Sequence, residues 1–316
     1  MLDLMAGFVH SQTLRALVEL RVFDILLDGP RTAESLATIV QVPADRLRVA
    51  LNAAVALKLL HLDLDAYDLT RRGAALTAVP GLREMILHHD VLYRDLQDPT
   101  AFLRGETKPE LAEFWPYVFG AGAAKDPDAA VRYSKLMSDS QTLVAEETLQ
   151  SISLTGIKHL MDVGGGTGAF LCHALTSTPG LQAMLFDLPA VVSSAADTFA
   201  NAGLSDRITI RSGSFRDESL PSGADAISLV RVLYDHSDET VCALLARVFQ
   251  ALLSGGDAPT TAGDAYFAFY TLAMETGRTR SAAEIMHLLS QAGFNHCAPV
   301  KTNRPFVTSV VTASKP

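Results

Sequence analysis

The chain has 316 residues, 48% of them hydrophobic, which is enough for a large core in two domains or in one domain with a helical attachment. Its formal charge of -9, from 26 basic and 35 acidic residues with no local Lys/Arg cluster, argues against a nucleic-acid partner, whose phosphates require a basic face. The three cysteines, Cys172, Cys242 and Cys297, lie far apart without metal-ligand spacing, so no metal site is expected and a reducing, cytoplasmic setting is the default.

From residue 1 to about 155 the periodicity is helical. The opening MLDLMAGFVHSQTLRALVEL lacks the basic segment, apolar run and small-residue cleavage site of a signal peptide. No run of about 18 apolar residues offers a spanning helix, while contact with the inner membrane surface stays open. SQTLRALVELRVFDILLDG repeats apolar residues three and four apart and stops at Gly29. Such a segment, apolar on more than one face, must be buried on more than one side and is expected to form a dimer interface. Residues 32–73 read as a helix, a second helix after Pro43 and a pair of short strands, a winged-helix shape. Its second helix, DRLRVALNAAVALKLL, is nearly all apolar after the first turn and offers little to a phosphate or a base edge, which favours packing over DNA contact. Residues 108–122 and 130–149 supply further helical segments rich in aromatic residues and Met, suited either to a core or to a lid over the next domain.

After Gly156 short apolar runs alternate with helical patterns: KHLMDVG, QAMLFDLP, ITIRSGSF and DAISLVRVLY with helices between them. Crossover helices of that kind require parallel strands, so the C-terminal region is an α/β doubly wound, Rossmann-like sheet. The chain closes on two strands around an Asn303-Arg304-Pro305 turn. The expected divisions are a helical, winged-helix-like dimerisation domain over 1–100, linking helices and a substrate lid over 101–155, and a cofactor-binding domain over 156–316.

Within that domain 161-MDVGGGTGAFLCHALTSTPGLQAMLFDLP-189 places four glycines after a strand and an acid nineteen positions beyond the last of them. Glycines at a strand-to-helix turn admit positive φ and let a ligand approach without meeting a Cβ. Asp187, with Leu188 beside it, closes the next strand, where an acid accepts hydrogen bonds from a ribose hydroxyl pair. A nicotinamide dinucleotide and S-adenosylmethionine both fit this geometry. Asp162, at the start of the turn, argues for the second, because it repels a pyrophosphate and attracts an ammonium or sulfonium group.

LMDVGGGTG, the acidic DLP, 206-DRITIRSGSF-215 and 230-VRVLYDHSDE-239 together resemble the class I S-adenosylmethionine-dependent O-methyltransferases with an N-terminal helical dimerisation domain, over almost the whole chain. More narrowly, VRVLYDHSDET and GDAYFAFYTLAMETGRTRS are similar to the bacterial hydroxyneurosporene (demethylspheroidene) O-methyltransferases of carotenoid synthesis, to which the bacteriochlorophyll C-20 methyltransferases are close. The resemblance implies S-adenosyl-L-methionine as cofactor, S-adenosyl-L-homocysteine as product and a homodimer. It also implies that Gly164, Gly166 and Gly168 approach the methionine moiety, that Asp187 binds the ribose, and that Ser214 and Phe215 border the adenine. Many members have Asp where Ser214 stands. Arg231 and Gln141 are candidates for the methionine carboxylate.

In phenol-methylating members a histidine general base occupies the position of Tyr234, followed by an acid matching Asp235 and a tryptophan matching His236. A neutral tyrosine is a poor base at neutral pH. Tyr234 is therefore expected to align the acceptor while Asp235 or a water takes the proton late in transfer. His236 is a further candidate base, with an adenine-facing or helix-start role as the stronger alternative. Phe114, Trp115, Tyr133, Met137, Phe269, Tyr270 and Met274 are expected around a large apolar acceptor, which the resemblance makes a hydroxylated carotenoid. The other readings are a methyltransferase for a polyketide or a tetrapyrrole, and a non-enzymatic regulatory member of the fold.

One element is missing from this reading. Between a helix ending near Ser254 and another starting near Ala265 lies only GGDAPTTAG, too polar for a buried central strand. The expectation is that the fifth strand of the sheet is absent and that the chain is interrupted beside Gly256.

Overall fold

A computed structural model describes residues 1–114, 141–257, 265–275, 277–304 and 307–316. The chain divides into two compact units, Met1–Tyr93 and Arg94–Pro316. In the first, helix Leu2–Glu19 is followed by Val22–Leu26, and the single helix expected through to Gly29 is broken because Arg21 adopts a left-handed φ of 60°. Helix Ala33–Val40 starts at Thr32, whose side chain accepts from the Ser35 amide, and helix Ala44–Ala56 follows Pro43. Strands β1 (Arg31–Thr32), β2 (Leu60–Asp63) and β3 (Ala66–Leu69) form an antiparallel sheet in the order β1-β3-β2. This is the winged-helix arrangement, and the second helix turns Leu47, Leu51 and Ala54 inward onto Leu17, Phe23 and Tyr67.

The second unit is built on β4 (His159–Val163), β5 (Gln182–Asp187), β6 (Ile208–Ser212), β7 (Ala224–Ser228), β8 (Leu252–Asp257), β9 (Asn295–Val300) and β10 (Val310–Ser314). They form one sheet in the order β6-β5-β4-β7-β8-β10-β9. Strands β4 to β8 pair in parallel, and β10 runs antiparallel to both β8 and β9. Helices Ala169–Ser177, Ala195–Asn201, Asp238–Ala251 and Ala282–Gln291 bury apolar faces in its core. The Rossmann-like sheet is thus as the alternating pattern requires. Because β4 lies between β5 and β7, the strand order reverses there, and the crevice outside the carboxyl ends at such a point is where open α/β sheets bind ligands.

One expectation about the sheet is corrected. The fifth strand is present: helix Asp238–Ala251 ends three residues earlier than Ser254, and the chain passes directly into β8, which runs through Gly256 and Asp257. Its register against β7 is irregular, with Ala224 opposite Leu252 and Ala226 opposite Asp257, while Ser314 of β10 flanks the other side of Asp257. A ladder needs backbone N–H and C=O groups rather than apolar side chains, and a polar Ser-Gly-Gly-Asp stretch supplies them. Of the segment 108–122, the described residues carry a 3-10 turn over Leu111–Phe114, and 115–122 lie outside the described residues. Trp115, Tyr133 and Met137 lie outside the described residues. No described helix is long and apolar enough to cross a membrane.

Candidate functional site

Four carboxyl ends contribute to the crevice: Gly164 follows β4, Asp187 ends β5, Gly213 and Ser214 follow β6, and the turn from Arg231 follows β7. The glycine turn is held locally. Gly164, Gly166 and Gly168 have φ of 74°, 61° and 83°, in the region that disfavours a Cβ. A Cβ on Gly164 would lie 2.7 Å from Val232, and one on Gly168 would lie 2.2 Å from the Phe199 ring, so these two serve close packing. Gly166 differs, because a Cβ there would meet nothing among the described residues within 4 Å. It is the glycine that presents open space to a ligand.

Asp162 lies beneath this turn, fully buried, with Oδ1 accepting from the Ser228 hydroxyl at 2.6 Å. Its Oδ2 is buried without a partner among the described residues, and a Cβ on Gly165 would come within 2.4 Å of it. Burial pushes its carboxyl up to about 7, against the lowering effect of Ser228. Asp187 accepts from the amides of Gly166 (2.8 Å) and Leu188 (2.7 Å), and burial raises its carboxyl as well. Gln141 is half-buried in helical residues 141–151, with its Oε1 also unpartnered.

These observations separate the two nucleoside readings. A dinucleotide pyrophosphate needs free amides, yet the amides of Gly164, Gly166 and Gly168 donate to Phe186, Asp187 and Gly165 within the protein. Two acids stand beside the turn: Asp162, with one oxygen orphaned among the described residues, and Asp187 at the end of β5. They fit the ammonium, sulfonium and ribose hydroxyls of S-adenosylmethionine.

On the far side, Ser214 donates its hydroxyl to Asp217 at 2.8 Å and accepts from the Arg216 amide at 3.2 Å, so it is engaged within its own turn. The Phe215 and His236 rings meet edge to face at 5.2 Å between centroids, and His236 Nδ1 lies 3.0 Å from the Arg216 guanidinium. Burial, then Arg216 and Arg280, bring the imidazole down to about 4. The structure therefore groups His236 with Phe215 and lowers its affinity for a proton, which makes it a weak base.

Tyr234 and Asp235 close the 3-10 turn Leu233–Asp235. Tyr234 is buried, and its hydroxyl accepts from Arg231 Nε at 3.0 Å. Burial raises its phenol, so it stays protonated. Asp235 is pushed up to about 7 by desolvation, with Arg231 pulling the other way. Arg231 itself has a φ of 59° and belongs to this cluster. Helix Ala265–Met274 packs against the Leu111–Phe114 turn, which brings the segment of Phe114 beside that of Phe269, Tyr270 and Met274. Phe269 is 43% exposed and Leu272 49%, whereas Met274 is buried and Tyr270 half-buried.

Two residues that composition and spacing do not single out also reach this turn. Gly277 abuts the backbone of Tyr234, and Arg280, fully buried, donates to the carbonyls of Leu233 and His236. A buried Arg nested in GRTR has no sequence mark distinguishing it from Arg278 on the surface.

Residues 93–295 match the O-methyltransferase domain and residues 2–78 match the O-methyltransferase dimerisation domain. The chain is 54% identical to demethylspheroidene O-methyltransferase of Cereibacter sphaeroides, over 99% of this chain and 86% of that protein. With its counterpart from Rhodobacter capsulatus it shares 49% identity over 99% and 81%. Among solved structures, human N-acetylserotonin methyltransferase in complex with S-adenosylmethionine superposes with a TM-score of 0.80 and 26% identity, covering 99% of this chain and 96% of that one.

Proposed function

The chain belongs to the S-adenosylmethionine-dependent O-methyltransferases with an N-terminal dimerisation domain, enzymes here acting on a hydroxyl of a hydrophobic acceptor, and from that premise we propose that the acceptor is a hydroxylated carotenoid such as hydroxyneurosporene or demethylspheroidene. What carries the reading is the identity of 54% with a demethylspheroidene enzyme over nearly all of the chain. The exposed Phe269 and Leu272 on a helix beside the Phe114 segment support an apolar acceptor wall.

S-adenosylmethionine, when bound, supplies an electrophilic methyl group on a sulfonium centre and becomes S-adenosylhomocysteine. In our reading Gly166 leaves room for the methionine moiety, flanked by Gly164 and Gly168. Asp162 faces its positive charge, while Gln141 and Arg231 are the donors for its carboxylate. Asp187, next to Leu188, holds the ribose, and Ser214 and Phe215 border the adenine with His236 behind them. Tyr234, kept neutral by burial and fixed by Arg231, aligns the acceptor oxygen. Asp235 or a water receives the proton as the oxygen gains positive charge; a carboxyl near 7 is suited to that task at neutral pH. This reading sets Phe114, Phe269 and Tyr270 around the acceptor with Met274 buried behind them, and assigns Trp115, Tyr133 and Met137 to the same wall.

The domain divisions at 100 and 155, a homodimer formed through the N-terminal unit, and a cytoplasmic enzyme that visits the membrane surface belong to the same reading. Supporting the dimer, Leu2, Leu4, Met5 and Phe8 are exposed on helix Leu2–Glu19. An interface of well under about 1,000 Å² would sink it.

The direct test supplies labelled S-adenosylmethionine with hydroxyneurosporene, a polyketide phenol and a bacteriochlorophyll precursor. Label in the carotenoid methyl ether is the expected outcome, and transfer to either other acceptor alone would replace the carotenoid reading. Tyr234→Phe is expected to lower kcat roughly 10- to 100-fold with S-adenosylhomocysteine affinity unchanged. Full turnover at saturating acceptor would remove the aligning role.

A further inference from the structure

The segment Gly277–Ser281 comes back from the end of helix Ala265–Met274 and lies on the loop that bears Tyr234, Asp235 and His236. A Cβ on Gly277 would stand 2.0 Å from the Tyr234 carbonyl oxygen, 2.7 Å from the Asp235 carbonyl carbon and 2.8 Å from the His236 nitrogen. The two backbones are therefore as close as a glycine allows.

Arg280 then enters the core with 1% of its surface exposed. Its Nη1 donates to the Leu233 carbonyl and, at 3.2 Å, to that of Arg278. Its Nη2 donates to the His236 carbonyl at 3.0 Å, and its Nε to Asp238 Oδ1 at 3.0 Å. The carbonyls of Leu233 and His236 bracket Tyr234 and Asp235, so one rigid guanidinium spans both ends of the turn. Burying this charge is costly unless every donor finds an acceptor. An apolar side chain of similar volume would leave both carbonyls unpaired, since the 3-10 turn points them inward.

The clamp is anchored from outside. Asp238 opens the helix Asp238–Ala251 and also accepts from Arg278 at 3.1 Å. Arg278 in turn donates to Glu284 at 2.7 Å, and Glu284 forms the capping box with Ser281 at the start of helix Ala282–Gln291. The starts of two helices are thereby tied to each other and to the turn.

We propose that Arg280 and Gly277 are positioning residues for methyl transfer: they set the height and angle of the Tyr234–Asp235 turn, and so of the acceptor oxygen, acting through the backbone of that turn. The proposal rests on Tyr234 and Asp235 facing the acceptor. Displacement of a reacting group by about an ångström costs on the order of 100-fold in rate, which is the scale on which such a clamp acts.

The test uses the full chain carrying Gly277→Ala, Arg280→Lys or Asp238→Asn, with four readouts: thermal midpoint, S-adenosylhomocysteine affinity by calorimetry, kcat and KM with hydroxyneurosporene, and amide hydrogen exchange by peptide. Gly277→Ala and Arg280→Lys are expected to lower kcat by roughly tenfold or more and to hold S-adenosylhomocysteine affinity within about twofold. They should also speed exchange in residues 231–238 and leave residues 162–168 unchanged. Folded variants with wild-type kcat and wild-type exchange in 231–238 overturn the proposal. So does a loss of kcat matched by an equal loss of cofactor affinity, which marks general destabilisation. If Arg280→Lys does not fold, Gly277→Ala and Asp238→Asn decide by the same criteria. If the wild-type protein methylates none of the acceptors, the functional reading fails by itself, and the exchange data still judge the clamp.

Discussion

The glycine turn after β4 and the loop after β7 leave the same edge of one sheet, yet they are secured in opposite ways. The first is held by apolar packing and one amide-to-carboxylate hydrogen bond: Gly164 against Val232, Gly168 against Phe199, Gly166 to Asp187 at the end of the adjacent strand. The second is held by polar side chains from a distant segment, with Arg280 reaching Asp238 forty-two positions back. A cofactor common to many enzymes is met by a turn fixed through close apolar contact. An acceptor that differs from one enzyme to the next is met by a loop whose placement depends on parts far along the chain. Changes in the first region should therefore act on cofactor binding, and changes in the second on turnover.

The strongest challenge to that contrast is Gly168→Val. A branched side chain at φ 83°, aimed into the Phe199 ring, is expected to destabilise the fold by about 1–3 kcal/mol and to lower S-adenosylhomocysteine affinity by roughly 100-fold or more. Calorimetry and thermal unfolding read both; near-normal affinity would deny the turn its role. Next in size is Asp187→Ala, which removes an acid proposed for the ribose and the partner of the Gly166 amide. Loss of charge-assisted hydrogen bonds is expected to weaken cofactor affinity roughly 10- to 100-fold while leaving kcat at saturating cofactor within a few-fold.

The second region is sharpened by pH. Asp235, held near 7 by burial, must be ionised to receive a proton, so kcat should fall as pH drops through about 7. Asp162 titrates in the same range, so the assignment is made with variants: Asp235→Asn should abolish the limb and Asp162→Asn should keep it. A limb that survives in Asp235→Asn would hand the proton to water. His236, held near 4, contributes nothing to this window.

The smallest effect concerns stability of the cofactor-free protein. The carboxyl of Asp162 rises from an ordinary 3.8 to about 7 on folding, so between those values the folded form holds a proton that the unfolded form has lost. Its contribution to stability is present below about 4 and disappears as pH rises through 7. Asp162→Asn is expected to flatten that dependence and to raise the thermal midpoint by a few degrees at pH 8, while weakening the cofactor. A wild-type midpoint that climbs between pH 4 and 7, with the variant tracking it, would contradict the assignment.

Much of this site is legible in the residues themselves because its signals are local. A strand, a glycine run and a helix occupy consecutive positions, and Asp187 ends the very next strand, so spacing alone predicts their meeting. The winged-helix unit follows for the same reason: caps, apolar periods and short strands are near-neighbour patterns. The break at Arg21 is different, since nothing in VELRVFD announces a left-handed residue, and packing of Val22 and Phe23 into the core sets it. So is the polar stretch at Gly255–Gly256, whose side chains argue against a strand. There β7 and β10 stand on either side with unpaired ladder groups, and the cost of leaving them so draws Leu252–Asp257 into the sheet. Arg280 follows the same logic, because a buried guanidinium is tolerated only where folding gathers enough carbonyls and carboxylates around it. Sequence by itself determined most elements and the cofactor turn, whose strand, glycines and acid lie within one short stretch. Tertiary structure decided the fifth strand and the placement of Tyr234, because pairing of buried polar groups depends on partners that meet only once the chain has folded.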